Sequence, residues 1–172
     1  MGDMTNLPIR KSIRLKSYDY SGAGYYFVTI CTKNQVPLFG SIVDGEMHLS
    51  GHGKIAETEL LSIPSHYYDI KIDKYIIMPN HIHIIIIVGA ALAQPAYGAD
   101  AGTKETGRAS APPTIGNVVR GYKAGVSRKI GSPVWQRNYH EHVIRNEVSH
   151  LRIWEYIDGN PVTWIDDRYY TH

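Results

Sequence analysis

The order of predicted elements indicates an α+β protein built on one antiparallel sheet. Three observations carry this prediction: strand-like and helix-like segments alternate along the chain, one strand is apolar throughout, and two helices carry an apolar stripe. The order is strand, hairpin, helix, strand, strand, helix, strand, helix. It is typical of the ferredoxin-like split βαβ arrangement, with helices packed mainly on one face of the sheet. A length of 172 residues suits a single domain with one core.

Five elements are predicted in the first half of the chain. Residues 25–32 are dense in β-branched and aromatic side chains, which favours a strand, and an Asp-Gly turn within residues 38–49 predicts a small hairpin. Apolar side chains recur at helical spacing in residues 51–63, and the proline that follows is expected to end that helix. Residues 70–78 and 81–88 predict two strands. The second contains four consecutive isoleucines, so it is expected to be a central strand buried on both faces.

The second half begins with a change in composition. Residues 89–113 are rich in Ala, Gly and Pro without a period, which predicts a mobile loop. Thr114 is expected to cap a long helix, and residues 134–144 predict an edge strand. Asn146 is expected to cap a last helix over roughly residues 147–158.

Composition and charge exclude several classes of protein. A single cysteine, Cys31, rules out an internal disulfide framework and a cysteine-based zinc finger. The start of the chain lacks the apolar core of a signal peptide, and the longest apolar run, residues 84–93, is too short to span a bilayer. We therefore expect a cytoplasmic protein with no membrane association, with a flexible tail at residues 1–9 and one domain over residues 10–172. A formal net charge of +2 permits a polyanionic partner without requiring one.

Two histidines separated by one residue, His81 and His83, are candidate metal ligands. On a strand, residues i and i+2 point to the same face, so both imidazoles can converge on one ion. Neutral imidazole is the commonest metal ligand in proteins, and the isoleucines around the pair leave the rings in need of polar partners. Because two ligands do not make a site, the alternative is a pair of histidines bonded to backbone or water.

Two regions compete to supply a third ligand and a reactive group. In the first, His140 and His142 share one face of the predicted edge strand. In the second, Tyr156 and Asn160 are four residues apart at the end of the last helix, so they can face one point. The residue pattern leaves both regions open, and it leaves Tyr156 open as a packing residue with its hydroxyl in water. The same helix carries a predicted apolar stripe: Val148, Leu151, Trp154 and Ile157.

The residues 78–83, MPNHIH, resemble the histidine-hydrophobe-histidine motif of the HUH single-tyrosine transposases, the insertion-sequence-200-like enzymes. The match is closer to their REP-associated tyrosine transposase branch. Further segments are similar to that branch in order and spacing: residues 10–15, 18–20, 25–32, 135–137, 142–146, 156–157 and 160–162. The resemblance spans most of residues 10–164 and excludes the variable loop.

The resemblance implies one HUH endonuclease-like or transposase-like domain with the ferredoxin-like fold. In it, His81 and His83 are catalytic residues that bind Mg²⁺ or Mn²⁺, Tyr156 is the catalytic nucleophile, and Asn160 is the third metal ligand. Attack of Tyr156 on DNA would leave a 5′-phosphotyrosine and a free 3′-hydroxyl. Because imidazole generally favours transition metals, we expect Mn²⁺ to support activity at least as well as Mg²⁺.

The partner that the resemblance implies is single-stranded DNA with hairpin-forming repeats. A monomer is the favoured form, and a dimer is the alternative. Candidate DNA contacts are two basic clusters and an aromatic side chain that suits base stacking. They are Arg10, Lys11, Arg14, Lys16, Arg120, Lys123 and Trp135. Two rival functions are a catalytically silent DNA-binding regulator and a metal-dependent phosphodiester hydrolase that uses water.

Overall fold

The computed structural model describes residues 23–89 and 113–170. The predicted tail, the basic residues at 10–16 and nearly all of the predicted loop lie outside these residues. The described part contains six strands: β1 (Gly24–Cys31), β2 (Gly40–Val43), β3 (Glu46–Leu49), β4 (Ile70–Ile77), β5 (His81–Val88) and β6 (His140–Ile144). It contains four α-helices: α1 (Gly51–Leu61), α2 (Ile63–His66), α3 (Ile115–Ile130) and α4 (Glu147–Gly159).

Four of the strands form one antiparallel sheet in the order β4-β5-β1-β6. Strands β1 and β4 are linked through α1, and β5 and β6 through α3, so this order is that of the ferredoxin-like split βαβ fold. The predicted fold class is therefore confirmed. Strands β2 and β3 form a separate hairpin. Its turn residues Asp44 and Gly45 have φ angles of 51° and 78°, and a two-residue type I′ turn requires positive φ at both positions.

Strand β5 is buried along its whole length, as its isoleucine run predicts. The side chains of Ile82, Ile84 and Ile86 belong to the larger core, together with buried side chains of α1 and α3. Ile85 belongs to a second cluster with Ile144 and Ile157, on the opposite face of the sheet. Because side chains alternate along a strand, His81 and His83 lie on this second face.

Helices α1 and α3 pack side by side on the first face. Tyr122 of α3 is buried and donates its hydroxyl proton to the Ala56 carbonyl of α1 at 3.1 Å. Thr114 caps α3 by accepting a hydrogen bond from the Asn117 amide, as predicted. No helix among the described residues is long and apolar enough to cross a lipid bilayer.

The predicted apolar stripe of α4 is wrong in three of its four members. Ile157 is fully buried, but Val148, Leu151 and Trp154 are 59%, 54% and 38% exposed. The helix touches the sheet along a narrower line, through Ile153 and Ile157. Its opposite side faces solvent.

Two further boundaries differ from the prediction. Helix α1 ends at Leu61, and Pro64 lies in the first turn of α2, where its missing N–H costs no hydrogen bond. The last strand of the sheet covers only His140–Ile144, and upstream of it a single bridge joins Trp135 to Thr32. The predicted helix therefore ended two residues too late, and the predicted strand began six residues too early.

Two glycines in the first turn of α1 provide a test of its packing against the β2–β3 hairpin. A Cβ atom at Gly53 would lie 2.2 Å from the Phe39 carbonyl oxygen, whereas a Cβ atom at Gly51 meets nothing within 4 Å. We expect Gly53→Ala to lower the free energy of unfolding by about 1–3 kcal/mol, because the hairpin must move. Gly51→Ala should raise it by about 0.5 kcal/mol. Urea unfolding of both variants measures this, and equal stabilities would contradict the packing.

Candidate active site

The rings of His81 and His83 lie side by side at the start of β5. Both are almost completely buried, and their Nε2 atoms are 3.0 Å apart. Strand geometry places them on one face, as the spacing predicts.

The amide of Asn80 fixes the tautomer of His81. Its Nδ2 atom donates to the backbone carbonyls of Gln35 at 3.1 Å and Tyr169 at 2.7 Å, which leaves Oδ1 as the acceptor toward His81 Nδ1 at 2.9 Å. His81 therefore carries its proton on Nδ1. The Nε2 atom presents a lone pair to the site, which is the form that binds a metal.

His83 is held in a similar way from the other side. Its Nδ1 atom lies 2.8 Å from the buried Thr29 hydroxyl on β1. When that nitrogen donates to Thr29, His83 also turns a lone pair toward His81. Two nitrogen lone pairs 3.0 Å apart repel each other unless a cation or a proton lies between them.

Burial keeps both imidazoles neutral. Desolvation, with a smaller effect of the Arg168 charge, lowers the pKa of His81 to about 3. Desolvation and the neighbouring His81 lower the pKa of His83 well below its usual value, although the Asp167 carboxylate opposes this shift. The rings are therefore unprotonated at neutral pH, which is the form in which an imidazole can ligate a metal.

The end of α4 brings Tyr156 to the histidines. Asn146 caps the start of α4 by accepting from the Ser149 amide at 2.8 Å, and buried Ile157 fixes the other end of the helix against the sheet. The Tyr156 hydroxyl lies 3.2 Å from His83 Nε2, while the residue remains 41% exposed. Burial, and next the nearby Asp167 charge, raise the pKa of Tyr156 to about 12, so the phenol is protonated at neutral pH.

Asn160 follows one turn later and is fully buried. Its Nδ2 atom donates to Asp167 Oδ2 at 2.9 Å, and Tyr156 donates to the same oxygen at 3.3 Å. The predicted facing of Tyr156 and Asn160 is therefore present, and Asp167 is their common partner. The Oδ1 atom of Asn160 is buried and has no hydrogen-bond partner among the described residues.

Asp167 and the short segment that carries it were not predicted from the sequence. A 3₁₀ helix at Trp164–Asp166 turns the chain back over the site. The rings of Trp164 and Tyr169 then lie 5.8 Å and 4.5 Å from that of His81, between ring centroids. The signal in the sequence that could have indicated Asp167 is an acidic pair, Asp166 and Asp167, between Trp164 and Tyr169.

Three side chains at this site fit a divalent ion. His81, His83 and Asp167 each offer a ligand atom within 4.8 Å of the others. Among the described residues, this is the one group of three or more His, Cys, Asp or Glu side chains that could hold a metal ion. Two nitrogen ligands about 2.1 Å from an ion and at right angles to each other would be about 3.0 Å apart. The observed separation of the Nε2 atoms matches that value. His140 and His142, the rival predicted ligands, are exposed on β6 and do not belong to this group.

The predicted DNA contacts differ in their surroundings. Arg10, Lys11, Arg14 and Lys16 lie outside the described residues. Lys123 donates to the backbone carbonyls of Gln136 and Arg137, and Trp135 donates to that of Lys123, so both predicted contacts also hold the local structure. Arg120 is exposed at a cleft of about 240 Å³ that Lys123 and Arg137 also line.

Comparisons with known proteins find a relative in sequence and a solved structure with a similar fold. No protein-family model matches the chain. A protein of Haemophilus influenzae strain Rd, described as "Uncharacterized protein", is 41% identical over 167 residues, which cover 94% of this chain and 93% of the relative. A solved structure described as "Structure of the REP associates tyrosine transposase bound to a REP hairpin" aligns with a TM-score of 0.56 and 18% identity. That alignment covers 82% of this chain and 68% of the other, and it shows a shared fold.

The neutral histidines predict how stability depends on pH. The pKa of His81 is about 6.5 in the unfolded chain and about 3 in the folded protein, so its contribution is complete above pH 6.5 and is lost as the pH falls. In the presence of a metal chelator, the free energy of unfolding should fall by about 2 kcal/mol between pH 7 and pH 5 on account of His81. Urea unfolding at both pH values measures the change.

His81→Gln removes this titration and should make the pH dependence shallower. His140→Gln, at an exposed histidine of the same sheet, is the matched control for the removal of one imidazole. A wild-type slope in His81→Gln would show that His81 is not held neutral by the fold.

Proposed function

This chain belongs to the same family as the Haemophilus influenzae protein, and we propose that it is a transposase-like single-stranded DNA endonuclease and strand transferase. One observation carries the proposal. A tyrosine hydroxyl on α4 lies 3.2 Å from a buried histidine that is paired with a second histidine on β5. The shared fold with a REP-associated tyrosine transposase supports the same assignment.

In the proposed reaction, the Tyr156 oxygen attacks a phosphodiester of the DNA. A bond forms between that oxygen and phosphorus, and the bond between phosphorus and the 3′-oxygen breaks. The phenolic proton passes to solvent and the 3′-oxygen takes one up, so no further reactant is needed. The products are a 5′-phosphotyrosine and a free 3′-hydroxyl, and the reverse attack by a 3′-hydroxyl rejoins strands without ATP.

His81 and His83 would hold Mg²⁺ or Mn²⁺. The family resemblance implies Asn160 as the third ligand, and the ligand set of this chain is taken up in the next subsection. When bound, the ion neutralises charge on the phosphate and favours the phenolate of Tyr156. The chain's own residues position the nucleophile: Ile157 fixes the helix, and Phe27 packs edge-on against the Tyr156 ring at 6.2 Å between ring centroids. With its 41% exposed side chain, Tyr156 remains accessible to a DNA strand.

The proposed substrate is single-stranded DNA that forms hairpins. The solved REP-associated transposase is described as bound to a REP hairpin, which supports this class of substrate for a protein of the same fold. The cleft lined by Arg120, Lys123 and Arg137 offers positive charge for phosphate contacts. We propose that a monomer is the active form, since one chain supplies both the tyrosine and the histidines.

Replacement of the proposed nucleophile distinguishes this function from its rivals. Labelled hairpin oligonucleotides, taken from the DNA that flanks the gene, are incubated with protein and Mn²⁺. Tyr156→Phe should abolish the covalent protein–DNA adduct and lower cleavage by more than about 1,000-fold, because it removes the hydroxyl that lies 3.2 Å from His83 Nε2. Denaturing gels measure both products. Tyr68→Phe, at a tyrosine that is 68% exposed, is the control and should react like the wild type.

Two outcomes would contradict the proposal. Cleavage by Tyr156→Phe at the wild-type rate would indicate a hydrolase that uses water. Hairpin binding by the wild type without cleavage under any metal condition would indicate a DNA-binding regulator.

His81→Ala separates metal-dependent chemistry from DNA binding. It should abolish cleavage, because one imidazole ligand is lost, while leaving hairpin affinity largely intact. Gel-shift assays measure the affinity, with His140→Ala as the control at an exposed position. Metal-dependent cutting by His81→Ala would show that this histidine does not serve the reaction.

A further inference from the structure

We propose that the third metal ligand of this site is Asp167, from the C-terminal segment, and that Asn160 is the residue that positions it. This deepens the proposed function, because it concerns the same ion and rests on it for what the ion does. It departs from the ligand set that the family resemblance implies.

The position of the Asp167 carboxylate supports its role as a ligand. Asp167 completes a group whose ligand atoms all lie within 4.8 Å of one another, with His81 and His83 as the other members. Its Oδ2 atom also accepts from the Tyr156 hydroxyl at 3.3 Å. The carboxylate therefore lies beside both the imidazoles and the proposed nucleophile.

The hydrogen bonds that hold the Asp167 carboxylate also support this role. Oδ1 accepts from the Tyr169 amide at 2.7 Å, and Oδ2 accepts from Asn160 Nδ2 at 2.9 Å. Hydrogen bonds from two sides fix its orientation, and Oδ1, which accepts from the Tyr169 amide, retains a lone pair for another partner. Carboxylates that ligate metals are commonly held by such outer hydrogen bonds.

Asn160 and Asp167 have different roles in the proposed site: Asp167 ligates the ion, and Asn160 orients Asp167. The amide nitrogen of Asn160 faces the carboxylate, because its oxygen would be repelled there. Two buried imidazoles and an amide would leave the full charge of a divalent ion uncompensated, whereas Asp167 supplies one negative charge. Two histidines and one carboxylate are also a ligand set that suits divalent transition metals.

The segment that carries Asp167 is packed in place rather than loosely apposed. The Tyr169 carbonyl accepts from Asn80, the same residue that fixes the tautomer of His81. Trp164 and Tyr169 are buried and belong to a cluster with Cys31 and Met78. The C-terminal segment is therefore an integral part of the proposed metal site.

The test is Mn²⁺ binding to the full chain without DNA, measured by isothermal titration calorimetry. Asp167→Asn keeps the size of the side chain and should weaken Mn²⁺ binding by more than about 100-fold, because it removes a charged ligand. Asn160→Ala should weaken it by about 10-fold, the size of effect expected for a residue that acts through a ligand. Asp166→Asn makes the same charge change at the exposed neighbouring position, and should change the affinity by less than about threefold.

Three results would overturn the inference: wild-type Mn²⁺ affinity in Asp167→Asn, a larger loss in Asn160→Ala than in Asp167→Asn, or equal losses in Asp166→Asn and Asp167→Asn. Urea unfolding of each variant in chelator monitors the fold, so that a ligand effect is separated from misfolding. Loss of cleavage in Asp167→Asn with unchanged Mn²⁺ affinity would assign Asp167 to the proton of Tyr156 instead of the ion. In that case the proposed function stands while this inference fails.

Discussion

The burial of β5 on both faces is the constraint on which the candidate site depends. The isoleucines that face α1 and α3 hold the strand in the larger core, so the alternate positions must face the other side of the sheet. Two of those positions are His81 and His83, whose rings are enclosed by protein. Polar rings in such a place need partners, and Asn80 and Thr29 supply them at the Nδ1 atoms. The Nε2 atoms are thereby left facing each other.

The same sheet positions the tyrosine. Ile157 packs in one buried cluster with Ile85 and Ile144, and this contact fixes the last turn of α4. Tyr156 then lies at the margin of the buried surface, close enough to contact His83 and open enough to be reached from solvent. The outer surface of α4 consequently leaves apolar side chains exposed to solvent. Trp154 is one of them, and Lys74 lies over its ring at 3.6 Å.

Electrostatics at the site follow from burial. Without a cation, desolvation keeps the imidazoles neutral and the phenol protonated. Asp167 is the negative charge in contact with these groups, and Arg168 adds a positive charge beside it. A divalent ion at this point would be stabilised by the carboxylate and by two lone pairs that otherwise repel. His81, His83 and Asp167 are therefore a group that could hold such an ion.

The sequence alone determined the sheet, its central strand, the two side-chain caps of α3 and α4, and the side-by-side placement of His81 and His83. These features depend on local periodicity, capping chemistry and the alternation of a strand, which are short-range properties of the chain. The predicted stripe of α4 was wrong because the burial of a helix face depends on what packs against it. The pairing of Tyr156 with His83, 73 positions apart, rested on family resemblance until the tertiary structure brought them together. Asp167 was decided only by the fold, because a carboxylate in an irregular segment has no period, and its position depends on contacts with residues far away in the chain.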